Sequence, residues 1–477
     1  MEASVLGCSP RRAESIPAKM PMKTNAMASI KSKTIPTKNY SMLLLRDIYY
    51  INKNLDVGMG DLLIDSESGR IERIGKDLPA AGCEKIEGKG MLAMSAFFNM
   101  HTHSPMTLFR NLAENMRLHE WLSKVIWPLE KKTSETDIYY SSMVAFIEMI
   151  KSGTGCFNDM YFHMEAIARA SKQIGIRACL GYGMIDLNDE GKRDREMREC
   201  ERVLKKYSNG KHSELITANV APHSIYTCSK KLLTEAKKLA GSYGTTYNIH
   251  CSETRKEVFD CLGVNKCRPV EYLEKLKVLD EKTILAHSVW VAKQEVAIMG
   301  KRKCSVSHNP VSNMKLASGG EIPLPEMFDA GVNVCLGTDG AASNNSLNMF
   351  ETMKTAALIQ NQFRWDPTII SPKQMLKCAT VNGAKALGIN SGAIAEGKLA
   401  DITVLSLDAN LQPANEKTLV NAIVYSANPS NVKHVIINGK LVLKDGKITT
   451  VDEQKIIDEF NKRAERLASA SDCGAEI

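Results

Sequence analysis

The sequence predicts an α/β fold, a (β/α)8 TIM-like barrel joined to a small discontinuous β-sandwich domain made from both chain ends. Three observations predict it. Strand-like apolar runs alternate with helical stretches through the middle of the 477 residues, the signature of a parallel βα architecture. Eight such runs span about 250 residues, the usual extent of this barrel. Short strands punctuated by turns precede the first run and return after the last.

Taken in order, residues 1–39 read as a disordered basic extension. They are rich in Ser, Lys, Met and Pro and show neither a helical nor a strand period. They also lack the apolar core of about 7–15 residues that a secretory signal needs, although an organelle transit peptide fits their composition. The first part of the β-domain covers 40–89, with strands at Ser41–Ile51, Gly60–Asp65 and Ile71–Ile74 around Glu67-Ser68-Gly69. The barrel covers 90–390. Its expected strands are Met91–Asn99, Gly155–Asn158, Arg177–Gly183, Leu215–Ala221, Thr245–Ile249, Thr283–Ala286, Cys304–Ser307 and Val332–Gly337. Helices fit between them, such as Asp137–Met149 and Ser229–Ala240, the latter opened by a Ser cap. The β-domain resumes over 391–450 with Ala400–Leu405 and Val432–Leu443, whose Asn438-Gly439 marks a turn. A C-terminal helix and tail fill 451–477.

The formal charge is +8, but residues 1–39 alone hold seven Lys/Arg against Glu2 and Glu14. That leaves +3 for the remaining chain, too little for a basic groove, so no nucleic-acid partner is expected. Thirteen cysteines without a CxxC pair read as reduced intracellular thiols. No apolar run approaches the ~18–20 residues of a membrane span. A cytoplasmic protein is the expectation.

In such barrels the chemistry sits at the carboxyl ends of the strands. Six of the ten histidines fall there. His101 and His103 share one face of the first strand end. His223 ends the fourth strand, His250 the fifth, His287 the sixth and His308 the seventh. Asp339 ends the eighth, in Gly337-Thr338-Asp339. His101, His103, His250 and Asp339 form the expected metal set: three imidazoles and a carboxylate suit Zn²⁺, and the same donors admit Fe²⁺. His223 offers no bridging group, so one ion per subunit is expected. Zinc lowers the pKa of a bound water to about 7, which supplies a hydroxide nucleophile. Glu253, three residues beyond His250, would move the water's proton to a leaving group. His287 would donate a hydrogen bond to the nucleophile or developing charge. A hydrogen bond to substrate is assigned to His223, and a structural role to His308.

These residues in this order resemble the amidohydrolase superfamily, and within it the methylthioadenosine/S-adenosylhomocysteine deaminases. The matching stretches are His101-Thr102-His103-Ser104-Pro105-Met106, Trp127-Pro128-Leu129-Glu130, Asn158-Asp159, Pro222-His223-Ser224, His250-Cys251-Ser252-Glu253-Thr254, Ser307-His308-Asn309-Pro310, Leu336-Gly337-Thr338-Asp339-Gly340 and Gly397-Lys398-Leu399-Ala400-Asp401. The resemblance implies zinc-dependent hydrolytic deamination of 5′-modified adenosines to inosine derivatives and ammonia, in salvage of S-adenosylmethionine by-products. It implies proton shuttling by Glu253, polarisation of the hydroxide by His287, help from Asp339 as a base, and contact of Glu130 and His223 with the ribose hydroxyls. A homotetramer is likewise implied. Some bacterial members carry an Arg where this chain has Tyr182, and the Tyr version resembles the archaeal, methanogen-type 5′-deoxyadenosine deaminases. Loss of that Arg weakens recognition of a carboxylate tail and favours a smaller 5′ group, although Arg193 is placed to reach the tail. The competing reading keeps the superfamily but changes the ring, to guanine deamination or triazine chlorohydrolysis.

Overall fold

The computed structural model describes residues 40–112, 114–208, 215–319 and 321–469; the basic extension expected at 1–39 and the last residues of the tail lie outside them. The chain opens with β1 (Met42–Ile51), β2 (Val57–Asp65), β3 (Arg70–Gly75), β4 (Cys83–Glu87) and β5 (Met91–Ser95). β1 is long enough to serve several partners. It pairs antiparallel with β2 along its length, parallel with β4 through Met42–Arg46, and parallel with β5 at Tyr49 and Tyr50. An irregularity between Leu45 and Ile48, with Asp47 at φ 52°, separates these two halves.

The apolar run expected to form one strand over Met91–Asn99 is in fact two. Ala96 breaks it: Met91–Ser95 stays in the terminal sheet, and Phe97–Thr102 begins the barrel. The main chain changes partners at that point, Ala96 N–H donating to Asp401 O and Phe97 N–H to Gly153 O, each at 2.9 Å. Both strands are buried, so hydropathy carries no mark at the junction.

The barrel strands are β6 (Phe97–Thr102), β7 (Thr154–Tyr161), β8 (Arg177–Met184), β9 (Ile216–Pro222), β10 (Tyr247–Cys251), β11 (Thr283–His287), β12 (Ser305–His308) and β13 (Asn333–Leu336). They form one eight-stranded parallel sheet in sequence order. Side chains complete the ring where β13 meets β6. Asn99 Nδ2 donates to Thr338 Oγ1 (2.7 Å), Thr338 N–H to Asn99 Oδ1 (3.0 Å), and Asp339 N–H to His101 O (2.9 Å). The cap expected at Ser229 is present, its hydroxyl accepting from Leu232 N–H ahead of the helix Lys230–Tyr243.

After the barrel, β14 (Ile402–Ser406) pairs antiparallel with β5, and β15 (Val432–Ile437), β16 (Lys440–Lys444) and β17 (Lys447–Ile448) extend the edge. The two ends of the chain thereby build a single nine-stranded mixed sheet. Its strands share a core that draws Leu43, Leu62 and Ile71 from the first part and Ile402, Val404 and Ile436 from the second. The β15–β16 turn has Asn438 at φ 50° and Gly439 at φ 74°, the pair of positive angles a two-residue hairpin requires. Any side chain at Gly439 would also meet Asp65 O at 2.8 Å.

One buried ion pair ties this sheet to the barrel. Arg177 at the start of β8 meets Asp401 in a two-pronged contact, Nε to Oδ2 and Nη2 to Oδ1, both 3.0 Å. Arg177→Met leaves a buried carboxylate without its cation and is expected to cost about 3–5 kcal/mol in urea unfolding. A loss below about 1 kcal/mol would mean the pair does not join the two parts. No helix among the described residues is long and apolar enough to cross a membrane.

Candidate metal centre and active site

The ends of β6, β10, β11 and β13 converge. His101 Nε2 lies 3.5 Å and His103 Nε2 3.3 Å from Asp339 Oδ1. His250 Nε2 lies 3.4 Å from His103 Nε2. Four donors about 2.0–2.1 Å from one ion in tetrahedral array stand about 3.3 Å apart, so these spacings are those of a ligand set around Zn²⁺ or a similar ion. The chain has a divalent metal site here.

These side chains are held from behind. Nδ1 of His103 faces Met160 O at 2.6 Å, and Nδ1 of His250 faces His223 O at 2.7 Å. A carbonyl only accepts, so each Nδ1 carries the hydrogen and each Nε2 turns a lone pair to the centre. Asp339 Oδ2 accepts from Ser312 Oγ (2.6 Å) and Ser343 Oγ (3.0 Å), which leaves Oδ1 for the centre. Nδ1 of His101 is buried without a hydrogen-bond partner, and its Nε2 has only Asp339 Oδ1 nearby.

The electrostatics fit a cation. Burial would raise the Asp339 carboxyl, yet the imidazoles of His101 and His103 beside it hold it well below the usual range. Burial would lower His103, but Asp339 overrides it and lifts the imidazole to about 9, while burial takes His101 down to about 4. The buried carboxylate thus draws positive charge into the site, a demand a divalent ion meets.

Glu253 follows β10 and reaches the same space. Burial, then the neighbouring Asp339 charge, push its carboxyl up to about 8. Its loop is held by Glu257, whose two oxygens accept from Ser252 N–H and Glu253 N–H, each at 2.8 Å. His287 Nε2 is 3.9 Å from Glu253 Oε2. Ser252, His287 and Asp339 sit at φ 51°, 71° and 62°, so left-handed backbone recurs at the three strand ends that carry this chemistry.

Above them lies a cavity. Glu130, His223, Glu253, His287 and Asp339 line it together with apolar side chains that include Met106, Trp121, Ile126, Phe162 and Ile185. Part of its lining comes from the π-helical turn Leu122–Ile126, a form frequent at functional sites. Burial raises Glu130 to about 7, with the Tyr161 hydroxyl and His103 pulling the other way. His223 is kept neutral, taken to about 3 by burial and then by the charges of neighbouring imidazoles. Its Nδ1 lies 2.9 Å from Thr227 Oγ1.

Tyr182 and Arg193, which the sequence put in the substrate-binding set, do not line this cavity. Tyr182 alternates with the cavity-lining Gly183, so it faces outward, beside Phe162 and hydrogen-bonded to Glu196. Arg193 is bound between helices outside the barrel, to Glu190 (2.5 Å) and near Glu235 (3.6 Å). Ser312 and Glu257 escaped the sequence reading, and Ser343, within the family-like Ser343-Asn344-Asn345, was given no role. Ser312 and Ser343 follow strand ends, a position that is the one signal able to mark them.

The chain matches the model of the amidohydrolase family over residues 92–442. It is 44% identical over 403 residues to a 5-methylthioadenosine/S-adenosylhomocysteine deaminase of Thermococcus sibiricus, spanning 84% of this chain and 94% of that one. It is 41% identical over 432 residues to a 5′-deoxyadenosine deaminase of Methanocaldococcus jannaschii, spanning 90% and 100%. Among solved structures it is similar to a zinc-bound adenosine deaminase of Xanthomonas campestris, with a TM-score of 0.84, 29% identity, and 90% and 98% of the chains covered.

Proposed function

The chain belongs to the amidohydrolase family and is a hydrolytic deaminase, and from that premise we propose that it deaminates 5′-modified adenosines, with 5′-deoxyadenosine and 5′-methylthioadenosine preferred. The ion is one Zn²⁺ per subunit, held by His101, His103, His250 and Asp339; when bound it acidifies a water enough to make it a nucleophile at neutral pH. Glu253 takes one proton from the attacking water and gives it to the ring nitrogen, and the second proton, left on the added hydroxyl, then passes to the amine as the C–N bond breaks and ammonia departs. Asp339 assists as a base through its carboxylate. His287 donates a hydrogen bond to the attacking oxygen as charge develops. Glu130 and His223 hold the ribose hydroxyls.

The observation that carries this reading is the cavity itself. Proton-handling groups stand at its floor, while its described lining includes no Lys or Arg. A charged amino-acid tail, as in S-adenosylhomocysteine, finds no cation there to pair with its carboxylate. An uncharged 5′ group finds Trp121, Ile126 and Phe162. A homo-oligomer fits the same reading, since Phe259 and Val264 stand exposed on the helix Arg255–Asn265 that follows Glu253.

The test is kcat/KM, by ammonia release and the inosine-type absorbance change, across 5′-deoxyadenosine, 5′-methylthioadenosine, S-adenosylhomocysteine, adenosine and free bases. The first two are expected to lead. Glu130→Ala and His223→Ala are expected to cost about 10- to 100-fold on nucleosides, the worth of a hydrogen bond to a charged or buried partner. Silence on every nucleoside, or equal losses on free bases, overturns the reading.

A further inference from the structure

His287 differs from the imidazoles around it in what its outer nitrogen meets. Nδ1 of His103 and of His250 face carbonyl oxygens. Nδ1 of His287 faces two side-chain amide nitrogens, Asn313 Nδ2 at 2.9 Å and Asn309 Nδ2 at 3.3 Å. Each amide has a second side-chain partner, while Asn313 Oδ1 is buried with none. Asn309 Oδ1 accepts from the Ser307 hydroxyl at 3.3 Å, which turns its nitrogen toward His287. Asn313 Nδ2 also donates to Ser318 Oγ at 3.1 Å, and that hydroxyl in turn points to Asn313 O. An amide nitrogen only donates, so Nδ1 of His287 must be the acceptor.

We propose that Asn313, with Asn309 behind it, is a positioning residue that holds His287 as the Nε2–H tautomer. The imidazole is thereby a hydrogen-bond donor to the reacting oxygen and is unfit to ligate the ion. Proximity alone does not make this choice, because one donor nitrogen each of His101, His250 and His287 also lie within 4.8 Å of one another. The chain writes opposite tautomers into adjacent rings by backing two with carbonyls and one with amides. The helix Pro310–Lys315 does this twice over, since Ser312 orients Asp339 and the next residue orients His287.

The inference rests on the proposed role of His287, but its test separates the two. Zinc-loaded protein labelled with ¹⁵N-histidine, with the His287 signals assigned by their loss in His287→Gln, is expected to show Nε2 protonated and Nδ1 bare. Asn313→Asp offers an acceptor in place of the donor and is expected to move the hydrogen to Nδ1. It should lower kcat by on the order of 10²-fold with KM little changed, as for a lost donor to a developing oxyanion. Asn313→Ala, which leaves Asn309 in place, should keep the tautomer. A bare Nε2 in the unsubstituted protein overturns the proposal, as does an Asn313→Asp variant with the tautomer and kcat both unmoved. Should Asn313→Asp fail to fold, the spectrum of the unsubstituted protein decides alone. Should no nucleoside turn over, the function falls and the spectrum still decides the tautomer.

Discussion

Glu253→Gln is expected to lower kcat by on the order of 10³-fold while the protein keeps its ion and its fold, the range lost with a positioned general acid–base. The substitution is nearly isosteric, and the fold does not depend on the carboxylate. The Glu253 backbone is anchored by Glu257, and the nearest cation-forming group to its side chain is His287 at 3.9 Å. What disappears is a buried group able to take and return a proton near neutral pH. Metal content by atomic emission should match the parent, and KM should change little. Turnover within about tenfold of the parent would move the proton shuttle to another residue.

The second expected result is heavier. Asp339→Ala should lose the ion and, with it, at least about 10⁴-fold in turnover, because an unassisted water is far too weak an acid to ionise at neutral pH. The carboxylate is the one anionic member of the set, and its Oδ2 also receives the Ser312 and Ser343 hydroxyls. Removing it takes away an acceptor that both hydroxyls share and leaves them with each other and with Gly340 O, so a small drop in thermal stability is expected alongside. Dialysis against a chelator should reproduce the activity loss in the parent, and added Zn²⁺ should reverse it there but not in the variant. A variant that keeps one ion per chain would require a different ligand set.

Much of this was legible in the sequence because period and position carry it. Strands that alternate with helices give the barrel, and in a barrel the residues that matter stand where strands stop. His101, His103, His250, His287 and Asp339 could be found by reading those positions alone. The hydroxyls behind Asp339 and the amides behind His287 could not, because Ser and Asn are ordinary loop residues until a neighbour's lone pair is located. The strand boundary at Ala96 was hidden for a different reason: two buried elements in succession read as one apolar run. The place of Tyr182 outside the cavity lining was not legible, because a family difference at one position says nothing about which face of the strand it occupies. Gly183, one residue on, is the position that lines the cavity.

The change of sheet at Ala96 has a consequence for when the centre can form. The strand bearing the first two imidazoles continues directly from β5, whose edge is covered by β14, made of residues 402–406. During synthesis that edge stays bare until most of the polypeptide has left the ribosome. The full set of four donors likewise waits for Asp339, long after the first two imidazoles have been made.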